Sequence, residues 1–207
     1  MRYRLLRVIA RIITSLTTRV ETIGSEHVPQ QPPYLLVTNH LSALDIPVIQ
    51  FVFPHNIRAF AAIEHKSHPL FGPILEASEA IWVRRGEVDR QALREALSVL
   101  ERGEALGMAP EGTRADESHA LQPAKAGVAY IATRADVPIV PLGIAGTEKI
   151  KHNVRRLRRT HVRVAVGEPF RLPASGHVRT KELREYTDLI MRRIADLLPP
   201  EYRGVYA

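Results

Sequence analysis

The sequence predicts a single α/β domain: a mixed sheet flanked by helices, with an amphipathic helix at the N-terminus. Three observations carry that prediction. Short apolar runs alternate with stretches of helical periodicity, the chain has 207 residues, and its composition is ordinarily globular, with 45% hydrophobic and 25% charged residues. Alternation of buried strands with amphipathic helices requires a sheet covered by helices. A chain of this length buries roughly 70% of the surface its unfolded form exposes, enough for one sizeable core. No repeat of about 20 to 50 residues, which would mark a solenoid or propeller, is present.

At about 100° per residue, Leu5, Leu6, Val8, Ile9, Ile12, Ile13 and Leu16 fall on one arc, with Arg4, Arg7, Arg11 and Thr14 opposite. Two settings suit such a basic amphipathic helix. It can lie in a lipid interface, apolar side among acyl chains and arginines toward anionic headgroups, or dock on the protein's own core. Residues 1–27 are accordingly assigned to an N-terminal membrane-surface segment and 28–207 to the α/β domain.

After the proline-rich stretch Val28 to Pro33, the run Tyr34 to Thr38 reads as a buried strand. Ile57 to Ala62, Ala80 to Val83, Leu106 to Ala109, Val137 to Ile144 and His161 to Val166 read likewise. Asp89 to Arg102 spaces Ala92, Leu93, Ala96, Leu97 and Leu100 among charges and ends before Gly103, the pattern of a helix. Ala124 to Arg134 and Thr180 to Leu198 share that periodicity.

Lysine and arginine outnumber acids 29 to 22, giving a net charge of +7. That balance favours phosphate-bearing partners: nucleic acid, an anionic membrane or a phosphorylated small molecule. Lys149 to Arg163 concentrates it, with Lys149, Lys151, Arg155, Arg156, Arg158, Arg159 and Arg163 and no acid. Two readings of that stretch stay open, a solvated face and a contact with an anionic surface. One Trp, five Phe and six Tyr, none interleaved with these basic residues, give nucleotide bases little to stack on, so no nucleic-acid partner is expected. No apolar run reaches the roughly 18 residues a membrane-spanning helix needs, and no signal-peptide pattern opens the chain. The expected location is therefore the cytoplasmic face of a membrane, peripheral or monotopic, without a span.

The absence of cysteine excludes thiolate nucleophiles and sulfur-ligated zinc. Nor is any other metal expected, because His65 and His68 beside Glu64 match no metal-binding spacing. The first strand runs directly into Asn39-His40-Leu41-Ser42-Ala43-Leu44-Asp45. An imidazole held by a carboxylate keeps one tautomer and can take a proton from an alcohol. On a regular helix, five residues turn through about 500° and end on different faces, so this pair meets only if His40 precedes the helix. Pro47 favours a break here. Pro110-Glu111-Gly112-Thr113-Arg114 also follows an apolar strand. Glycine admits close backbone approach and Thr113 and Arg114 offer donors to phosphate; a tight turn with a surface ion pair is the alternative.

Together these motifs resemble the glycerolipid acyltransferases typified by 1-acylglycerol-3-phosphate acyltransferase. The H-x4-D block is His40 and Asp45, and Glu111-Gly112-Thr113-Arg114 follows at family-like spacing. Ile81-Trp82-Val83-Arg84-Arg85 resembles the second block and Val137-Pro138-Ile139-Val140-Pro141 the proline-containing fourth, so the likeness runs from Tyr34 to Thr147. The resemblance implies that His40 is the general base and Asp45 its orienting partner. It implies a substrate-phosphate site of Arg85, Glu111, Gly112, Thr113 and Arg114, with Lys125 a further candidate. It also implies an O-acyltransferase that moves a fatty acyl group from acyl-CoA or acyl carrier protein, as co-substrate and with no other cofactor, to a lysophospholipid. The implied acceptor is 1-acylglycerol-3-phosphate and the product phosphatidic acid; a different lysolipid or glycolipid acceptor is the alternative. A non-catalytic module binding anionic membranes or nucleic acid is the rival from another class. Ala109, Glu79 and Arg84 depart from residues common in the family, and Arg84 adds charge where the lipid head would sit. No Gly-x-Ser-x-Gly elbow surrounds any serine, so transfer would be direct, with Ser42 structural.

Overall fold

The computed structural model describes residues 2–69, 71–84, 86, 88–173 and 178–207. Arg85 lies outside the described residues, as do the side chains of Arg4 and Leu5. The chain runs α1 (Arg2–Thr17), β1 (Thr18–Ile23), β2 (Tyr34–Thr38), α2 (Asp45–Val52), β3 (Ile57–Ala62), α3 (Phe71–Ala77) and β4 (Ile81–Val83). It continues with α4 (Arg90–Glu101), β5 (Ala105–Met108), α5 (Gly127–Ala135), β6 (Ile139–Ala145), α6 (Ile150–Val154), β7 (Thr160–Val166) and α7 (Thr180–Ala195). The strands form one seven-stranded sheet in the order β1-β7-β6-β2-β5-β3-β4. β2 to β6 are mutually parallel, β7 runs antiparallel to β6, and β1 runs parallel to β7. This is the mixed sheet flanked by helices that the sequence predicts.

Every residue of β2 is buried. Leu35 and Val37 meet the apolar sides of α4, α5 and α7 on one face, while Tyr34 and Leu36 meet Val48 and Phe53 on the other. Burial on both faces explains why this strand is continuously apolar rather than alternating. α4 shows how sequence sets an element's ends. Asp89 accepts the amide protons of Gln91 (3.1 Å) and Ala92 (3.0 Å), capping its start. Gly103, at φ 77, closes its end, where the Gly103 amide reaches Leu100 O and the Glu104 amide reaches Val99 O.

Since β2 to β6 run the same way, the loops following them all open at one end of the sheet. Such ends carry the sites of open α/β sheets. β1 and β7 run the opposite way, so their beginnings also lie at that end.

The sequence reading needs correction at three places. Thr18–Ile23, assigned to a surface segment, is an edge strand in register with β7, pairing Thr18 with Thr160. Pro47 does not break the chain: it sits in the first turn of α2, where its missing N–H has no intrahelical partner to lose. The third concerns α1, where Arg7 and Arg11 engage the protein. Arg7 donates to the carbonyls of Phe53 (2.9 Å) and Pro54, and Arg11 to that of Phe51 (3.3 Å), satisfying carbonyls at and just past the end of α2. Thr14 is buried, whereas Val8, Ile9, Ile12, Ile13 and Leu16 are exposed. The apolar arc is thus not docked on the core, and these two arginines are engaged by the protein itself.

Candidate active site

β2 is locked to β6 at its end. The buried Asn39 amide donates to Ile144 O (2.8 Å) and its carbonyl accepts the Ile144 N–H (2.9 Å), which fixes the main chain just before His40. His40 then lies in the turn and Asp45 is the first residue of α2, the arrangement the spacing demands. His40 Nδ1 donates to Asp45 Oδ2 at 2.7 Å. The same oxygen accepts the amide protons of Leu41 (2.9 Å) and Ser42 (3.0 Å), and Oδ1 accepts the Thr147 hydroxyl. A carboxylate only accepts, so this geometry puts the imidazole proton on Nδ1 and leaves the Nε2 lone pair free. The His40 side chain is 25% exposed and that of Asp45 3%: the carboxylate is sealed and the imidazole accessible. Ser42 is structural, its hydroxyl accepting the Leu44 N–H and donating to Thr147 O.

The loop after β5 closes against this turn. The Ala115 amide donates to His40 O (2.8 Å) and the Lys125 amide to Pro110 O (2.9 Å). Gly112 sits at φ +71, and a Cβ there would come within 3.2 Å of Lys125 Nζ, so the lysine side chain lies across the glycine. Left-handed backbone and a close neighbour together require glycine here.

A cavity of about 500 Å³ opens beside His40. Ile46 and Ile49 of α2, Ile57 and Phe60 of β3, Val83 and Met108 make much of its wall apolar. Arg84, Thr113 and Lys125 put polar and cationic groups on the same wall. A largely apolar pocket with a few convergent polar groups suits an amphiphilic ligand.

Of the residues singled out by sequence, His40, Asp45, Gly112, Thr113 and Lys125 line this one cavity. Arg114 is exposed and is not among its wall residues. Arg85 is outside the described residues, but its neighbour Arg84 lines the wall. Glu111 is a correction. It is 4% exposed, beneath the loop rather than on the cavity wall, with Oε2 accepting the Gln122 N–H (3.2 Å) and Oε1 without a hydrogen-bond partner. Burial pushes its carboxyl up to about 7, against which the Gln122 amide and the nearby His40 amide and ring pull only weakly. Off the cavity wall, this carboxyl supports the loop from within. Asn39 and Thr147 are the residues that sequence reasoning missed. Each acts through a hydrogen bond spanning more than a hundred positions, and only their placement at strand ends hinted at a role.

The Acyltransferase family model matches residues 19–145. The chain is 25% identical over 189 residues to the 1-acyl-sn-glycerol-3-phosphate acyltransferase of Bacillus subtilis (strain 168), covering 90% of this chain and 92% of that protein. It is 31% identical over 155 residues to the protein of the same name from Limnanthes douglasii, covering 71% and 54% respectively. It spans 44% of the Saccharomyces cerevisiae relative, with 29% identity. The crystal structure of the 1-acyl-sn-glycerophosphate (LPA) acyltransferase, PlsC, from Thermotoga maritima superposes with a TM-score of 0.71 at 25% identity, over 94% of this chain and 77% of that one. With the four sequence blocks arranged along one sheet and a family model matching more than half of the residues, the chain belongs to the acyltransferase family of enzymes.

Proposed function

We propose that this protein transfers a fatty acyl group from a thioester to the free hydroxyl of 1-acylglycerol-3-phosphate, giving phosphatidic acid. The observation that carries the reading is the His40–Asp45 pair, sealed on the carboxylate side and accessible on the imidazole side, beside a cavity whose largely apolar wall also carries cationic groups. The names of the relatives support the same acceptor.

In the reaction, Nε2 of His40 removes the acceptor hydroxyl's proton as that oxygen attacks the thioester carbonyl carbon. The tetrahedral intermediate collapses with cleavage of the C–S bond, and the imidazolium returns its proton to the departing thiolate. Asp45 holds the ring and stabilises its charged form. The apolar wall receives acyl chain, while Lys125, Thr113 and Arg84 meet the phosphate. Arg114, exposed beyond the cavity wall, is a second tier of phosphate contact. The donor is acyl-CoA or acyl carrier protein, and His40 treats either thioester alike.

The exposed apolar arc of α1 rests in the surface of the bilayer that holds the acceptor. α1 packs on α2, whose Ile46 and Ile49 line the cavity, so lipid would approach within one helix of the site. The test is transfer by purified protein, crossing both thioesters with lysophosphatidate, lysophosphatidylcholine and a lysoglycolipid and reading products by mass spectrometry. Phosphatidic acid as the dominant product is the expected result. Acylation of the glycolipid in preference to lysophosphatidate would replace the acceptor, and no product from any pair would remove the activity.

A further inference from the structure

The site end of the sheet carries a second surface that acyl transfer does not use. The register pair Thr18–Thr160 places the last turn of α1 beside the loop joining α6 to β7. Arg159 ties the two together: its Nη2 donates to Ser15 O and Thr18 O (both 2.6 Å), and its Nε to Thr18 O (2.9 Å). On its other side α6 follows closely on Thr147, the residue that holds Asp45. The loop therefore bridges the catalytic turn and the exposed apolar face of α1.

Its own residues have an unusual make-up. Arg155, Arg156 and Arg158 are exposed, and Leu157 between them is 97% exposed. Leu157 also has φ 54. It lies three residues past the end of α6, in the turn that closes the helix, where the Leu157 amide reaches Val154 O (3.0 Å) and the Arg158 amide reaches Asn153 O (2.9 Å). Glycine fills that left-handed position without strain and leucine does not. Packing gives no reason for a strained, solvated leucine here, and such outliers cluster at surfaces with a function. Leu16, 69% exposed in the last turn of α1, is another aliphatic side chain near the same corner.

We propose that the α6–β7 loop is a membrane wedge: Leu157 enters the acyl-chain layer of an anionic bilayer beside α1, and Arg155, Arg156 and Arg158 bind lipid phosphates around it. This rests on the lysolipid-acceptor reading above, because the wedge turns the His40 cavity toward the lipid phase. An anionic polymer such as RNA would engage the arginines but would have no use for an aliphatic tip among exposed aliphatic side chains, and that combination favours lipid.

The test measures co-sedimentation of the full chain with phosphatidylcholine vesicles with and without phosphatidylglycerol. Leu157→Gly removes the side chain and relieves the backbone, so the variant should melt no lower than the parent while binding to the anionic vesicles falls about tenfold. Arg155→Ala with Arg156→Ala should lower that binding about fivefold per residue at low salt and hardly at all at high salt. Turnover on lysophosphatidate in anionic vesicles should fall with Leu157→Gly, and turnover on a short-chain, monomeric lysophosphatidate should not. Equal vesicle binding by Leu157→Gly and parent protein overturns the wedge, as does tighter binding to RNA than to anionic vesicles. Absence of turnover on both acceptors by the parent protein would instead remove the functional reading, and the vesicle measurements would still judge the wedge.

Discussion

In the turn from His40 to Asp45 both carboxylate oxygens are occupied, by three N–H donors and one hydroxyl. In the loop from Glu111 to Lys125, by contrast, no carboxylate among the described residues pairs with Arg114 or Lys125. The two regions stand at adjacent strand ends and are joined through the Ala115 amide and His40 carbonyl. Their difference teaches a division of labour. Proton transfer needs an imidazole whose orientation is settled before the acceptor arrives, so its partner is sealed in. Phosphate binding needs cations whose donors are still free, so theirs are left open.

Five variants test that division; His40→Ala should affect turnover most and Glu111→Gln least. His40→Ala should lower kcat at least about 100-fold while the melting temperature barely moves, since general-base help is worth about 10² to 10⁴. Near-normal turnover would show that the turn does no chemistry. Lys125→Ala should raise the acceptor KM about tenfold or more, leaving kcat and the thioester KM little changed, because a hydrogen bond to a charged group contributes about 1.5–3 kcal/mol. Arg114→Ala, outside the cavity wall, should have a smaller effect; the reverse ranking would move the phosphate outward.

Thr147→Val sharpens the comparison from the other side. It leaves Asp45 Oδ1 buried without its donor, which costs about 1–3 kcal/mol of stability. A loss of about 1.4 kcal/mol in the orientation of His40 would lower kcat about tenfold with the acceptor KM unchanged. A rise in KM alone would mean that the turn also binds substrate.

Glu111→Gln should change turnover least and stability most visibly with pH. The folded carboxyl titrates near 7 against an ordinary 4.5, so the folded protein holds this proton more tightly than the unfolded chain does. The resulting stabilisation is complete below about pH 4.5 and is lost as pH rises through 7, a change of at most about 3 kcal/mol. Thermal melts of the parent between pH 5 and about 8 should carry that slope, and melts of the glutamine variant should lack it. A parallel slope in both would place the titrating group elsewhere.

Local periodicity made the strands legible because each is a run of neighbours: Ile57–Ala62 was bounded to the residue, and Tyr34–Thr38 likewise. Periodicity does not reveal Thr18–Ile23, an edge strand whose polar residues face outward, so that only pairing with β7 identifies it. It also misread Pro47, since a proline that ends one helix is welcome in the first turn of another. In the site, His40, Asp45, Thr113 and Lys125 were visible as motif residues. Glu111 was visible too, but its burial and its support of the loop were not.

By itself the sequence determined the fold class, the order of strands and helices along the chain, and the pairing of His40 with Asp45. All of these rest on interactions between residues close in the chain, which spacing encodes. Tertiary structure alone decided that Asn39 and Thr147 brace the catalytic turn, that Arg7 and Arg11 reach the carbonyls at the end of α2, and that Arg159 ties the α6–β7 loop to α1. Those contacts join residues from 40 to more than 140 positions apart. Sheet order and register bring them together, and neither is written in the spacing of any one segment.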